Sequence, residues 1–435
     1  MQTTHRLLAV ALFSAATALA YSQDKAPDPV ILGPMIGFTE ATETTIWLRT
    51  GQRGGHMLSV RERGGDSVFD GSKTAIPDTD LTVRWSVSGL EPETEYIYDF
   101  ILPDGRLHDG DDFVFRTPPK PEAKQRVTIA LGARASTESS PVWTRIQAER
   151  ADALVLLGDS PAIDTTDLAV ARERQRALLS VPEFARLVRT TPTLATWDDR
   201  DYGELHAGGN LKGKYNTRRA FTEYHASREF GQFDEGVYTS FRMGPIEVFL
   251  VDTRYFTDLE TALVAPSEPS LLGHEQWNWL THGLSTSTAK FKLIASGRLW
   301  DYHPDRTNDD WQAYAQERDP LIYQLGQAGV SGVVLAAGDL GASRAMIFPV
   351  SESLGYDAWQ FIPGSLSQET DSPPATHTAM VHQASEPGVF LKLIADSTVS
   401  PATLTATWIT ANGDRLFSVT TDEKTLSGSV LLDRP

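Results

Sequence analysis

Four stretches of this chain end an apolar run on carboxylates: Asp159 in LVLLGDS, Asp198, Asp199 and Asp201 in ATWDDRD, Asp252 in FLVDTR and Asp339 in LAAGDL. Apolar runs of this length read as buried strands, so each carboxylate falls where a strand leaves the core. In layered α/β folds the strand ends form a common rim, where side chains distant in sequence meet. Several carboxylates on one rim repel one another unless a cation neutralises them. Two-metal phosphoester hydrolysis uses such a cluster: carboxylates and imidazoles hold two divalent ions, which polarise the phosphoryl group and lower the pKa of a water. One Gly-Asp after a strand is more often a turn or a helix cap. The repetition on separate strands carries the expectation.

The other candidates carry less. His206, His225, His274, His303, His377 and His382 are scattered, without HxH or HExxH spacing. His206, shortly after the aspartate run, is the best placed of them. Asp252 reads as a structural group that positions Arg254 or the 198–201 loop. Trp277 and Trp279 in EQWNWL are expected to pack a helix on a sheet. No GxSxG elbow points to a serine hydrolase. The chain has no cysteine, which excludes disulfides, cysteine nucleophiles and thiolate metal sites. With 57 acidic against 39 basic side chains the formal charge is −18, the wrong sign for sequence-independent nucleic-acid binding.

The elements that must position these groups follow from the pattern. Residues 1–20 have Arg6, an apolar run from Leu7 and the small-x-small ending Ala18-Leu19-Ala20. They read as a signal peptide cleaved near Ala20, with export to the periplasm or beyond. No later stretch is apolar enough to span a membrane. Residues 30–117 read as β, with strands near 44–48, 57–61, 81–87, 95–100 and 113–116 between Gly- and Pro-containing turns. The phrase VSGLEPETEYIYDF resembles fibronectin type III-like domains, so a β-sandwich of that kind is expected there. A proline-rich stretch, 118–126, reads as a linker. From residue 127 to the end, apolar strands alternate with helix-periodic segments near 141–149 and 169–187, and strands near 390–394, 404–409 and 416–420 close the chain. This is an α/β domain of layered sheets flanked by helices.

Taken in order, GPMIGFTEATETTIWLRT, LVLLGDSPAIDTTDL, TPTLATWDDRDYG, GPIEVFLVDTRYF, LLGHEQWNWL, FKLIASGRLW and GVVLAAGDL resemble successive blocks of the alkaline phosphatase D (PhoD-like) family. The resemblance covers residues 30 to 430. It implies a calcineurin-like metallophosphoesterase core of packed β-sheets with helices outside. It also implies export, hydrolysis of phosphate mono- or diesters, and a divalent metal pair drawn from Ca, Fe, Zn or Mn. A phosphate ester or another anionic small molecule is the implied partner, with no nucleic acid and no integral membrane part.

The resemblance also marks departures at the metal-binding blocks. Where the family has Gly-Ser-Cys this chain has Gly132-Ala133-Arg134, and where it has Gly-Asp-x-x-Tyr the aromatic is missing after Asp159. Trp-Asp-Asp-His-Asp has become Trp197-Asp198-Asp199-Arg200-Asp201, and Gly-Asp-x-His has become Gly338-Asp339-Leu340-Gly341. Alanine and glycine side chains have no lone pairs, and arginine stays protonated. Asp159, Asp199 and Asp339 are the surviving metal-ligand candidates; Asp198 and Asp201 join them as catalytic candidates. Arg200, assisted by Arg134 and Arg344, is expected to replace the metal and pair with the aspartates, leaving a weak or inactive homologue or an anion-binding pocket. The alternatives are an active phosphatase using the remaining aspartates, and a carbohydrate- or surface-binding module built around the β-domain.

Overall fold

A computed structural model describes residues 31–138, 140–300, 309–371 and 378–428. The expected signal peptide, His303 and His377 lie outside these residues.

The strand Glu43–Arg49 alternates between two environments. Ile46 and Leu48 face one hydrophobic core, and Trp47 faces another. The first is the interior of a β-sandwich. Leu32–Glu40, Glu43–Arg49 and Thr82–Ser88 form an antiparallel sheet, with Ile46 opposite Ile36 on one side and Trp85 on the other. It packs on a second sheet in which Gly54–Glu62 lies between Ser67–Ala75 and Glu95–Ile101, with Leu107–His108 and Val114–Arg116 alongside the last. Leu58, Val60, Trp85, Tyr98 and Phe100 fill the space between. The strands Leu32–Glu40 and Ser67–Ala75 escape sequence reading for opposite reasons. The first is buried almost throughout and shows no alternation; the second is a largely exposed edge strand.

The outer face of the first sheet is covered by the rest of the chain. Leu32, Met35 and Trp47 pack with Trp143, Phe184 and Tyr224, and the Trp47 indole donates to the Glu223 carbonyl at 2.7 Å. The Tyr98 hydroxyl donates to the Arg189 carbonyl at 2.8 Å. The sandwich is therefore packed against the remainder rather than held by the linker alone.

Beyond residue 125 two mixed sheets stack face to face. One runs Thr193–Thr196, Ala153–Leu157, Arg126–Gly132, Val389–Asp396, Thr403–Thr410, Arg415–Asp422; its first three strands are parallel. The other has seven strands. The parallel strands Ile246–Leu250, Phe291–Ser296, Val333–Ala337 and Ala358–Ile362 form its centre, and Thr239–Met243, Ser343–Phe348 and Met380–Ala384 pair antiparallel at its margins. Ile129, Leu131, Val155 and Leu157 meet Val248, Leu250, Leu293 and Leu335 between the sheets. The opposite face of the first sheet, with Leu154, Leu156 and Ala195, is covered by the helices Pro141–Ala148, Leu168–Leu179 and Pro182–Val188. Asp167 caps the second of these, accepting from the Ala169 and Val170 amides. Pro182 separates it from the third, because proline has no amide to continue the ladder. The expected layered α/β architecture is observed.

Candidate functional site: an acidic centre between two sheets

The strand ends of the two sheets converge closely, and glycine makes this possible. A Cβ on Gly338 would lie 1.9 Å from the Leu157 carbonyl oxygen across the sheets, and within the six-stranded sheet one on Gly158 would lie 2.5 Å from the Asp198 Cβ of the neighbouring strand end. The aspartates that follow, Asp159 and Asp339, sit at φ of 52° and 57°. This left-handed conformation suits Asp and Asn better than most residues. The Gly-Asp pairs thus turn the chain sharply and bring two carboxylates from different sheets together.

Five candidate aspartates are buried around this junction. Asp159 is pushed up to about 7 by burial first, then by the charges of Asp199 and Asp339. Asp198 is raised well above the carboxylate range by burial, with Arg254 opposing. Asp199 accepts from the His206 amide at 2.8 Å. Asp201 is engaged by the backbone: its Oδ1 accepts from the Asp198 amide at 2.6 Å and its Oδ2 from the Ser160 amide at 3.4 Å. That geometry makes Asp201 a backbone clamp for the short 199–202 turn.

The counter-charge is an arginine, but a different one from that expected. Arg254, fully buried, donates from Nε to Asp198 Oδ1 at 2.7 Å and from Nη2 to the same oxygen at 2.5 Å. Its Nη1 reaches Asp309 Oδ1 at 2.6 Å, its Nη2 reaches Asp309 Oδ2 at 3.1 Å, and Nη2 is 3.9 Å from Asp199. Burial works against the guanidinium, yet Asp198, Asp309 and Asp199 hold its pKa well above the arginine norm. Arg298, also buried, adds Nη2 at 3.4 Å from Asp309 Oδ1. Burial pushes Asp309 up, but Arg254 and Arg298 outweigh it and hold this carboxyl below its usual range. His206 Nδ1 lies 2.8 Å from Asp309 Oδ2. Asp252, as expected, is structural: it accepts from the Trp197 indole and from the Val237, Arg254 and Tyr255 amides.

Arg200 does not enter the cluster. Its amide donates to Asp159 at 3.2 Å, while its side chain turns outward into a bidentate pair with Asp164 at 3.0 and 2.8 Å. In the 199–202 turn the backbone, not the guanidinium, faces the carboxylates. Arg134 pairs with Asp371 at 2.6 Å. Its Nη1 lies 2.7 Å from where a Cβ on Gly341 would be, so it occupies the space a side chain there would need. Arg344 is buried in the Ser343–Phe348 strand, with Nη1 3.4 Å from the Met346 sulfur. A cleft of about 270 Å³ opens over the centre, lined among others by Arg134, Asp159, Asp164, Arg174, Arg200 and Glu369.

The model of PhoD-like phosphatases matches residues 147–397, more than half of the chain, and this span includes every aspartate of the centre. The chain belongs to the PhoD-like phosphatase family. Alkaline phosphatase D of Bacillus subtilis (strain 168) is 23% identical over 412 residues, which cover 78% of this chain and 69% of that protein. A solved structure of PhoD superposes with a TM-score of 0.72 at 18% identity, covering 91% of this chain and 93% of that one. The purple acid phosphatase PPD1 from yellow lupin (Lupinus luteus) seeds superposes with a TM-score of 0.69 at 12% identity, covering 91% and 74%. The fold is thus that of the metallophosphoesterases.

A PhoD-like centre of two divalent ions needs two sets of donors. Among the described residues two groups have donor atoms within 4.8 Å of one another: Asp159, Asp198 and Asp199, and Asp199, His206 and Asp309. In the second, both Asp309 oxygens already accept from Arg254, and His206 shares one of them. In the first, Asp198 Oδ2 is buried and without a hydrogen-bond partner among the described residues. One position keeps an open oxygen; the other is neutralised by guanidinium. The donor set does not fit the metal pair. Asp309, Arg254 and Arg298 escape motif reading because none stands in a block with a metal-ligand spacing. Arg254 and Arg298 leave only a trace, each two residues after a strand-ending Asp252 or Ser296.

Proposed function

We propose that this chain is an exported PhoD-like protein whose two-metal phosphoesterase centre has become an arginine-neutralised acidic centre, so that it is a weak or inactive homologue. The observation that carries this reading is Arg254, fully buried and forked between Asp198 and Asp309. A guanidinium delivers positive charge to the carboxylates but cannot polarise a phosphoryl oxygen as a Lewis acid or activate a bound water. The sequence signature of residues 1–20 supports export, and among the described residues no helix is long and apolar enough to cross a membrane. The N-terminal sandwich fits a fibronectin III-like module, and the cleft beside Arg134 and Arg200 suits a phosphate ester or another small anion.

The open Asp198 Oδ2 favours a second reading, in which Asp159, Asp198 and Asp199 hold one divalent ion and support slow hydrolysis. Turnover of bis-p-nitrophenyl phosphate, with and without added Ca²⁺, Mn²⁺ or Zn²⁺, separates the two. Under the first reading no added metal raises the rate above that of the buffer. Metal-stimulated turnover abolished by Asp159→Ala would establish the second.

A further inference from the structure

The helix Gly273–Thr286 carries two tryptophans with different fates. Trp277 is buried against the seven-stranded sheet, as amphipathic spacing requires. Trp279 is only half-buried, and it stands between two clefts, of about 710 and 90 Å³. The larger runs between one face of the helix and the edge of the sheet. Glu275, Asn278, Trp279 and His282 line it from the helix, spaced by three and four residues as one helical face demands. Arg242 and Glu247 line it from the adjoining strands. Trp279 is held from behind by Tyr238, with ring centroids 4.9 Å apart, and by Phe249 at 5.9 Å. Its ring is therefore a fixed platform in a groove of mixed polar and apolar lining, and the groove shares no lining residue with the cleft over Asp159.

We propose that this groove binds a saccharide chain, with one sugar ring stacked on Trp279. A pyranose offers an apolar C–H face to an aromatic ring and a rim of hydroxyls to side-chain carboxylates and amides. Both partners are present here, the rim being supplied by Glu247, Glu275 and Asn278. The lining carries three carboxylates, Glu40, Glu247 and Glu275, against one guanidinium, Arg242. That balance selects neutral or amine-bearing sugars and repels uronate chains.

Calorimetric titration of the full mature protein with cello-, chito- and chitosan oligosaccharides, and with oligogalacturonate, tests this. We expect saturable binding of at least one neutral or amine-bearing oligomer and none of oligogalacturonate. Trp279→Ala should lower the unfolding midpoint yet stay folded at the titration temperature, and weaken binding about ten-fold or more. Should that variant unfold, Glu275→Gln on the exposed helix face provides the reading, through a selective loss of chitosan over chito-oligosaccharide binding. Absence of binding by every neutral and amine-bearing oligomer, preference for oligogalacturonate, or wild-type affinity in Trp279→Ala (in Glu275→Gln, wild-type affinity for the chitosan oligomers) overturns the proposal.

Discussion

Arg254 holds charges that would otherwise repel. Removing it strands Asp198 as a buried carboxyl without its ion-pair partner and leaves Asp309 only Arg298 and His206, a change that costs about 3–5 kcal/mol in comparable sites. Arg254→Ala should therefore lose stability of that order in urea unfolding, and Arg254→Lys should recover only part, since an ammonium cannot make two forked pairs. Asp159 behaves oppositely. Its folded pKa, about 7, lies above the ordinary carboxylate value, so the folded chain binds this proton more tightly than the unfolded chain. Its contribution is fully present below about pH 4 and drains away as the pH climbs through 7. Asp159→Asn should match the wild type in stability near pH 4 and exceed it by about 4 kcal/mol above pH 7. A tightly bound metal would reverse that result, because the substitution would then remove a ligand. At this scale the sequence was legible where a carboxylate ends an apolar strand, as with Asp159 and Asp339. It was not legible at Asp309, whose partner Arg254 lies 55 residues away, nor in the outward turn of Arg200, which depends on the neighbouring Asp164.

Elements set the positions of these residues through close approach. The Gly158 and Gly338 turns are read directly from their Gly-Asp pairs, and their purpose lies in close contacts that no single strand reveals, Gly158 with the neighbouring strand end and Gly338 with the other sheet. The loop at Gly341 shows the same coupling. Arg134 from one sheet fills the space beside Gly341 from the other, where the family pattern has an imidazole. Gly341→His should be destabilising, since its Cβ would meet Arg134 Nη1 and the Asp371 amide nitrogen, each at 2.7 Å. Adding Arg134→Ala should relieve only part of that loss, because the Asp371 backbone stays in place, and thermal unfolding of the single and double variants reads the difference. Fully additive losses in the two variants would show that the two positions do not share that space. Strand texture and block order were legible because buried parallel strands are long apolar runs. The strand Leu32–Glu40 was not, since burial on both faces erases the alternation that marks a β-strand.

For the whole molecule, the sandwich, the two stacked sheets and their helices preserve a phosphoesterase frame around a centre with altered charge chemistry. The net charge of −18 belongs in part to this centre, where buried aspartates meet Arg254 and Arg298. The sheets superpose on PhoD, while between them Arg254 forks between Asp198 and Asp309. The most direct measurement is the metal content of the protein, produced in medium supplemented with Ca, Fe, Mn and Zn and dialysed without chelator. We expect at most one divalent ion per chain. Two tightly held ions per chain would contradict the replacement of the metal pair by arginine.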